Sequence, residues 1–151
     1  MESGNPEQYL NYPLPLTLDR HFVVDCIART HRQLLLRSEV FNPNGIKYAT
    51  RVDIVFKVVK AVKMVFILPK LSIRSATEFE LDRIKEECGE DVFRHGYEKA
   101  YIISGGPHEG YIVASSAFFS EINENEHPQP MSLLHDVEHN FAPTTVYELI
   151  Q

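Results

Sequence analysis

The string His135-Asp136-Val137-Glu138-His139 brings together the residue types that most directly suggest chemistry. On a helix, His135 and His139 at i and i+4 project from one side and could hold a divalent metal, with Glu138 beside them as a base. A second candidate is Gly105-Gly106-Pro107-His108-Glu109-Gly110, because glycines let backbone amides approach an anion. Cys26 and Cys88 are the only thiols, and neither belongs to a CxxC or has a sequence-local partner that would mark it as a nucleophile. His21, His31, His95 and His108 could each act as acid or base, but nothing in the sequence ranks them above surface or structural histidines.

None of these candidates is complete. The histidine string fits the H-x-x-E-H pattern of inverted zinc metallopeptidases. That family uses larger catalytic domains and a distant third ligand, whereas Glu148 is the one carboxylate after His139. A metal site at His135/His139 is therefore the alternative reading, within a small enzyme or ligand-binding protein. The glycine loop lacks a following Lys-Ser/Thr and joins two strand-like runs, a context for a hairpin and not for a P-loop. No residue set calls for a cofactor.

Charge gives a more consistent signal. Residues 20–74 hold eleven Lys/Arg against three acids, a net +8, and residues 75–151 hold four against fifteen, a net −11. The two segments either neutralise each other in the fold or steer a complementary macromolecule. The overall charge of −6, with no basic module interleaved with stacking aromatics, argues against nucleic acid. The expected function is thus a noncatalytic protein-binding module, such as an inhibitor or immunity-type protein. Its candidate surface is Glu80, Glu86, Glu87, Glu90 and Asp91, with Tyr97, Tyr101 and Tyr111 supplying amphipathic rings. A homo-oligomer joined through strand edges is a further option.

These residues need elements to position them. Thr77-Glu78-Phe79-Glu80 is a capping box, followed by Leu81, Ile84 and Cys88 at helical spacing and then Gly89, which predicts a helix over 78–88. Phe22–Ala28 and Leu34–Val40 read as strands, although a helical face competes there. Residues 52–68 are rich in β-branched Val and Ile, so they read as strands turning near Lys60-Ala61, with Leu71–Arg74 a further strand. Lys99–Ser104 and Tyr111–Phe119 flank the glycine loop as a hairpin, and alternation gives each strand a tyrosine-bearing face. Met131–His139 could form a short helix.

The resulting fold class is α+β, a mainly antiparallel sheet of six or seven hairpin-connected strands with one firm helix. Residues 1–17 are expected to be a loose arm and 18–151 one domain. With 151 residues and 44% hydrophobic content the chain can bury a core without staples. Two isolated thiols fit a reducing, cytoplasmic setting. The longest apolar stretch, Val52–Leu68, carries Asp53, Lys57, Lys60 and Lys63 and is no membrane span.

Overall fold

β-Branched and aromatic residues that alternate in facing direction build two sheets, seen in a computed structural model that describes residues 9–29, 32–123 and 146–151. The strands are β1 (Leu10–Pro13), β2 (Leu16–Leu18), β3 (Phe22–Ala28), β4 (Gln33–Ser38), β5 (Arg51–Lys57) and β6 (Ala61–Lys63). They continue with β7 (Ile67–Leu68), β8 (Leu71–Ser75), β9 (Lys99–Gly105), β10 (His108–Ala114), β11 (Ser116–Ile122) and β12 (Val146–Ile150). One helix, α1 (Glu78–Cys88), and a 3₁₀ turn over Glu90–Phe93 lie between β8 and β9. The first sheet runs β1-β12-β11-β5-β4-β3-β7 and the second β2-β8-β9-β10-β6. All pairings are antiparallel except β1 with β12. The α+β class with mainly antiparallel strands is thus the observed one.

Period-two alternation explains the layers. Leu34, Leu36, Ile54, Phe56, Ala117 and Phe119 of the first sheet face Leu71, Ile73, Tyr101, Ile103 and Ile112 of the second in one shared core. Residues of opposite parity on the second sheet, Ala100, Ile102, Tyr111 and Val113, pack beneath Ile84 of α1 and Val92 of the 3₁₀ turn. Burying Ile84 alone is worth about 1.5–3 kcal/mol, and it anchors the helix to the sheet. On the other side of the first sheet, Leu35, Val55, Phe118, Ile122 and Val146 form a separate apolar cluster.

Twelve strands occur among the described residues, because residues 10–18 and 146–150 add β1, β2 and β12 and two long runs divide between sheets. Residues 52–68 do not fold back as a hairpin: β5 stays in the first sheet, and β6 joins the edge of the second beside β10. Val58 makes this crossing with φ 55, a left-handed conformation rare for a β-branched residue. It is held between Val59 N–H donating to the Arg32 carbonyl at 2.8 Å and Lys60 N–H donating to the Val113 carbonyl at 2.7 Å. The expected strand over 111–119 likewise breaks at Ser115, where the chain passes from β10 to β11 and the Ser115 amide donates to the Lys57 carbonyl.

Two further corrections concern local elements. Of the expected loose arm over 1–17, residues 1–8 lie outside the described residues, while the rest contributes β1 and most of β2: Leu16 is fully buried and Tyr12 and Leu14 pack on the shared core. Pro13 is tolerated at the end of an edge strand. The glycine loop shrinks to a turn at Gly106-Pro107, since His108, Glu109 and Gly110 already pair with β9. A Cβ on Gly110 would collide with the Lys63 carbonyl, so glycine permits the close approach of β6. The helix expected over Met131–His139 lies outside the described residues.

Candidate functional site

Helix α1 begins as its sequence dictates. Thr77 Oγ1 accepts the Glu80 amide at 3.2 Å, and Glu80 Oε1 accepts the Thr77 amide at 2.9 Å. The same carboxylate receives a two-pronged Arg74 guanidinium at 2.8 and 2.7 Å. Hydrogen bonding from Arg74 outweighs partial burial and holds the Glu80 carboxyl at about 2. The helix start is thereby tied to β8.

The far end of α1 is tied to β6 and β10. Tyr111 Oη donates to Glu87 Oε1 at 2.8 Å, Lys63 Nζ donates to Glu87 Oε2 at 2.9 Å, and Cys88 Sγ lies 3.3 Å from Tyr111 Oη. Burial of the ring, with hydrogen bonds to Cys88 and Glu87 adding to it, pushes the Tyr111 phenol pKa up. Hydrogen bonds from Lys63 and Tyr111 pull the Glu87 carboxyl down. Lys63, Glu80, Arg83, Glu87, Glu109 and Tyr111 therefore rim one groove between helix and sheet. Three of the expected site residues, Glu80, Glu87 and Tyr111, meet there.

The others are placed differently. Glu86, Glu90 and Asp91 are exposed, with Asp91 near Arg94 at 3.9 Å. Tyr101 is 0% exposed and packs edge-on against Phe56, so it belongs to the core and presents no contact surface. The register sets Tyr111 opposite Ile102 and Tyr101 opposite Ile112, which turns the two tyrosines to opposite faces of one sheet. Tyr97 is exposed and stacks on His95 with ring centroids 5.3 Å apart. His135 and His139 lie outside the described residues; among those described, no group of three or more His, Cys, Asp or Glu is arranged to hold a metal.

A cluster that sequence reading missed joins Lys60, His95 and Glu98. Lys60 Nζ lies 2.5 Å from Glu98 Oε2 and 2.7 Å from His95 Nδ1, and it sits over the Tyr97 ring at 5.2 Å. His95 Nδ1 is 2.9 Å from the same Oε2, while Glu98 Oε1 accepts the His95 and Gly96 amides at 3.1 and 3.0 Å. Burial raises the Glu98 carboxyl, but bonds from Lys60, His95 and the backbone overcome it and set it at about 2. Its three side chains come from the β5–β6 crossing and the turn before β9, and a separation of 35 residues between Lys60 and His95 leaves no local motif.

The outer face of the first sheet carries the other buried charges. Arg37 grips Asp53 through Nε at 2.8 Å and Nη2 at 3.0 Å, and Arg51 Nη2 approaches the same carboxylate at 3.5 Å. Burial pushes the Asp53 carboxyl up to about 6 against the opposing pull of Arg37 and Arg51.

The segregated charge is thus partly stitched together. Lys60–Glu98, Lys63–Glu87, Arg74–Glu80 and Arg74–Glu109 each join a base of 20–74 to an acid of 75–151. These pairs lie on the sheet side of α1, leaving Glu78, Asp82 and Glu86 on exposed positions. No helix among the described residues is long and apolar enough to cross a membrane. Comparison with protein-family models, curated proteins and solved structures finds no match to this chain.

Proposed function

We infer that this chain is a noncatalytic protein-binding module whose contact surface is the outer side of α1 and the adjoining 3₁₀ turn. The observation that carries this reading is Phe79, whose ring is 70% exposed on the first turn of the helix. Asp82, Arg83 and Glu86 follow it at i+3, i+4 and i+7, so they share its side, and Glu78 adjoins it. An apolar ring set among carboxylates suits a partner that offers an apolar pocket with a basic rim. The ring supplies buried area, and the acids supply encounter rate and selectivity. Occlusion of a basic site, as by an inhibitor or immunity-type protein, fits this surface.

The test is affinity capture from cells of origin with the wild-type chain, Phe79→Ala and Asp82→Lys/Glu86→Lys side by side. The expected outcome is one stoichiometric partner whose retention falls with salt, weakens in Phe79→Ala and is lost in the charge-reversed variant. Equal recovery of the same proteins by all three chains would contradict the reading.

A further inference from the structure

The one Asn-Gly dipeptide of the chain, Asn44-Gly45, stands at an exposed turn between β4 and β5. Its neighbour Asn42 builds that turn. Asn42 Oδ1 accepts the Asn44 and Ile46 amides, both at 2.9 Å, and the Asn42 carbonyl accepts the Gly45 amide at 3.0 Å. Asn42 N–H donates to the Ile46 carbonyl at 2.9 Å and Tyr48 N–H to the Val40 carbonyl at 2.7 Å, which closes the base of the turn. The Asn44 carboxamide has no hydrogen-bond partner among the described residues, so it is free to swing toward the next peptide nitrogen. Gly45, at φ 86, carries no side chain to obstruct that approach, and a Cβ built on it would meet nothing within 4 Å. Other asparagines lack this combination. Asn42 precedes Pro43, whose nitrogen bears no proton to lose, and Asn11 is held in β1 opposite Glu148 and precedes the bulky Tyr12.

We propose that Asn44 is a self-modification site, converted to aspartate and isoaspartate by the backbone of its own turn. The Gly45 nitrogen attacks Asn44 Cγ. The new N–Cγ bond forms as the Cγ–Nδ2 bond breaks, and the proton of the Gly45 amide leaves with Nδ2 as ammonia. The resulting succinimide takes up one water. Opening at the Cγ–N bond leaves aspartate, and opening at the bond between that nitrogen and the Asn44 carbonyl carbon leaves isoaspartate, whose main chain runs through Cγ. No oxidant, reductant or enzyme is needed. Either product adds a carboxylate to the turn that carries Lys47, whose ammonium lies over the exposed Phe41 ring at 5.6 Å. Asn42 governs the rate, because the Gly45 amide must leave the Asn42 carbonyl before it attacks, and the two amides on Asn42 Oδ1 resist that loosening. The turn is remote in sequence from α1, and the inference does not depend on the protein-binding reading.

Ageing the whole chain at neutral and at mildly alkaline pH, followed by mass spectrometry of the tryptic fragment 38–47, tests the proposal. That fragment should gain the mass difference between an amide and an acid and divide into separable aspartyl and isoaspartyl forms. Conversion should be faster at the higher pH, since the attacking nitrogen has to lose its proton. The fragment 1–20, which holds Asn11, should stay unchanged over the same period. Asn42→Ala should convert about fivefold faster, the effect of losing about one net hydrogen bond, and Asn44→Gln, whose longer side chain closes the ring poorly, should stay unmodified. No conversion at Asn44, equal conversion at Asn11, aspartate without isoaspartate, or an Asn42→Ala chain that ages no faster than the wild type would each overturn it.

Discussion

Both oxygens of Glu98 are committed, one to Lys60 and His95 and the other to two backbone amides, and Glu80 is gripped by Arg74 and its own cap. Both carboxyls titrate at about 2 in the fold against an ordinary value of 4.5. A depressed folded pKa stabilises fully above the ordinary value and progressively less as pH falls toward 2. Denaturant titrations between pH 5 and 2 should therefore show a falling stability that is shallower in Glu98→Gln and in Glu80→Gln. Asp53 has the opposite sign, because its folded pKa is raised from 3.8 to about 6 and the folded state holds its proton longer. Its contribution declines as pH rises through that window, and Asp53→Asn should abolish this component. The same substitution strips the carboxylate from buried Arg37 and Arg51, which should cost about 3–5 kcal/mol in chemical denaturation. Residue identities alone do not reveal these clusters, since Arg37 with Asp53 and Lys60 with Glu98 are joined only by sheet register and by a strand crossing.

Elements were legible where the signal is local. The capping box and apolar stripe specify α1 as Glu78–Cys88, and the run Phe22–Ala28 forms β3 with the bounds read from its β-branched and aromatic content. No sequence period marks the crossings at Val58 and Ser115, because each long apolar run supplies both sheets. Tyr101 and Tyr111 show the same limit: alternation assigns faces within a strand, but only the pairing of Tyr111 with Ile102 assigns them across strands. Thr77→Ala should cost about 1 kcal/mol by removing the side-chain cap, and it should raise amide exchange over the first turn of α1. Gly110→Ala should expel the β6 edge, because the added methyl meets the Lys63 carbonyl. Hydrogen exchange at Ala61–Lys63 should then rise well above that of β9, and unchanged protection would contradict the tight packing at this edge.

At the scale of the molecule, the shared core joins two sheets whose outer faces differ: α1 covers the second, while the first carries Arg37, Arg51 and Asp53. The segregated charge serves both architecture and surface. Lys60, Lys63 and Arg74 draw the acidic segment onto the second sheet, and Glu78, Asp82 and Glu86 of α1 stand around Phe79. The Lys63 and Arg74 pairs are largely exposed and contribute little each, so high salt should weaken partner binding far more than it lowers folding stability. The most direct measurement places a photo-crosslinking phenylalanine analogue at position 79 and, as a control, at the equally exposed Phe41. The account predicts one dominant adduct at position 79, suppressed by salt and by Asp82→Lys/Glu86→Lys, and none of that mass at position 41. Adducts that are absent at 79, or the same at both positions, would contradict it.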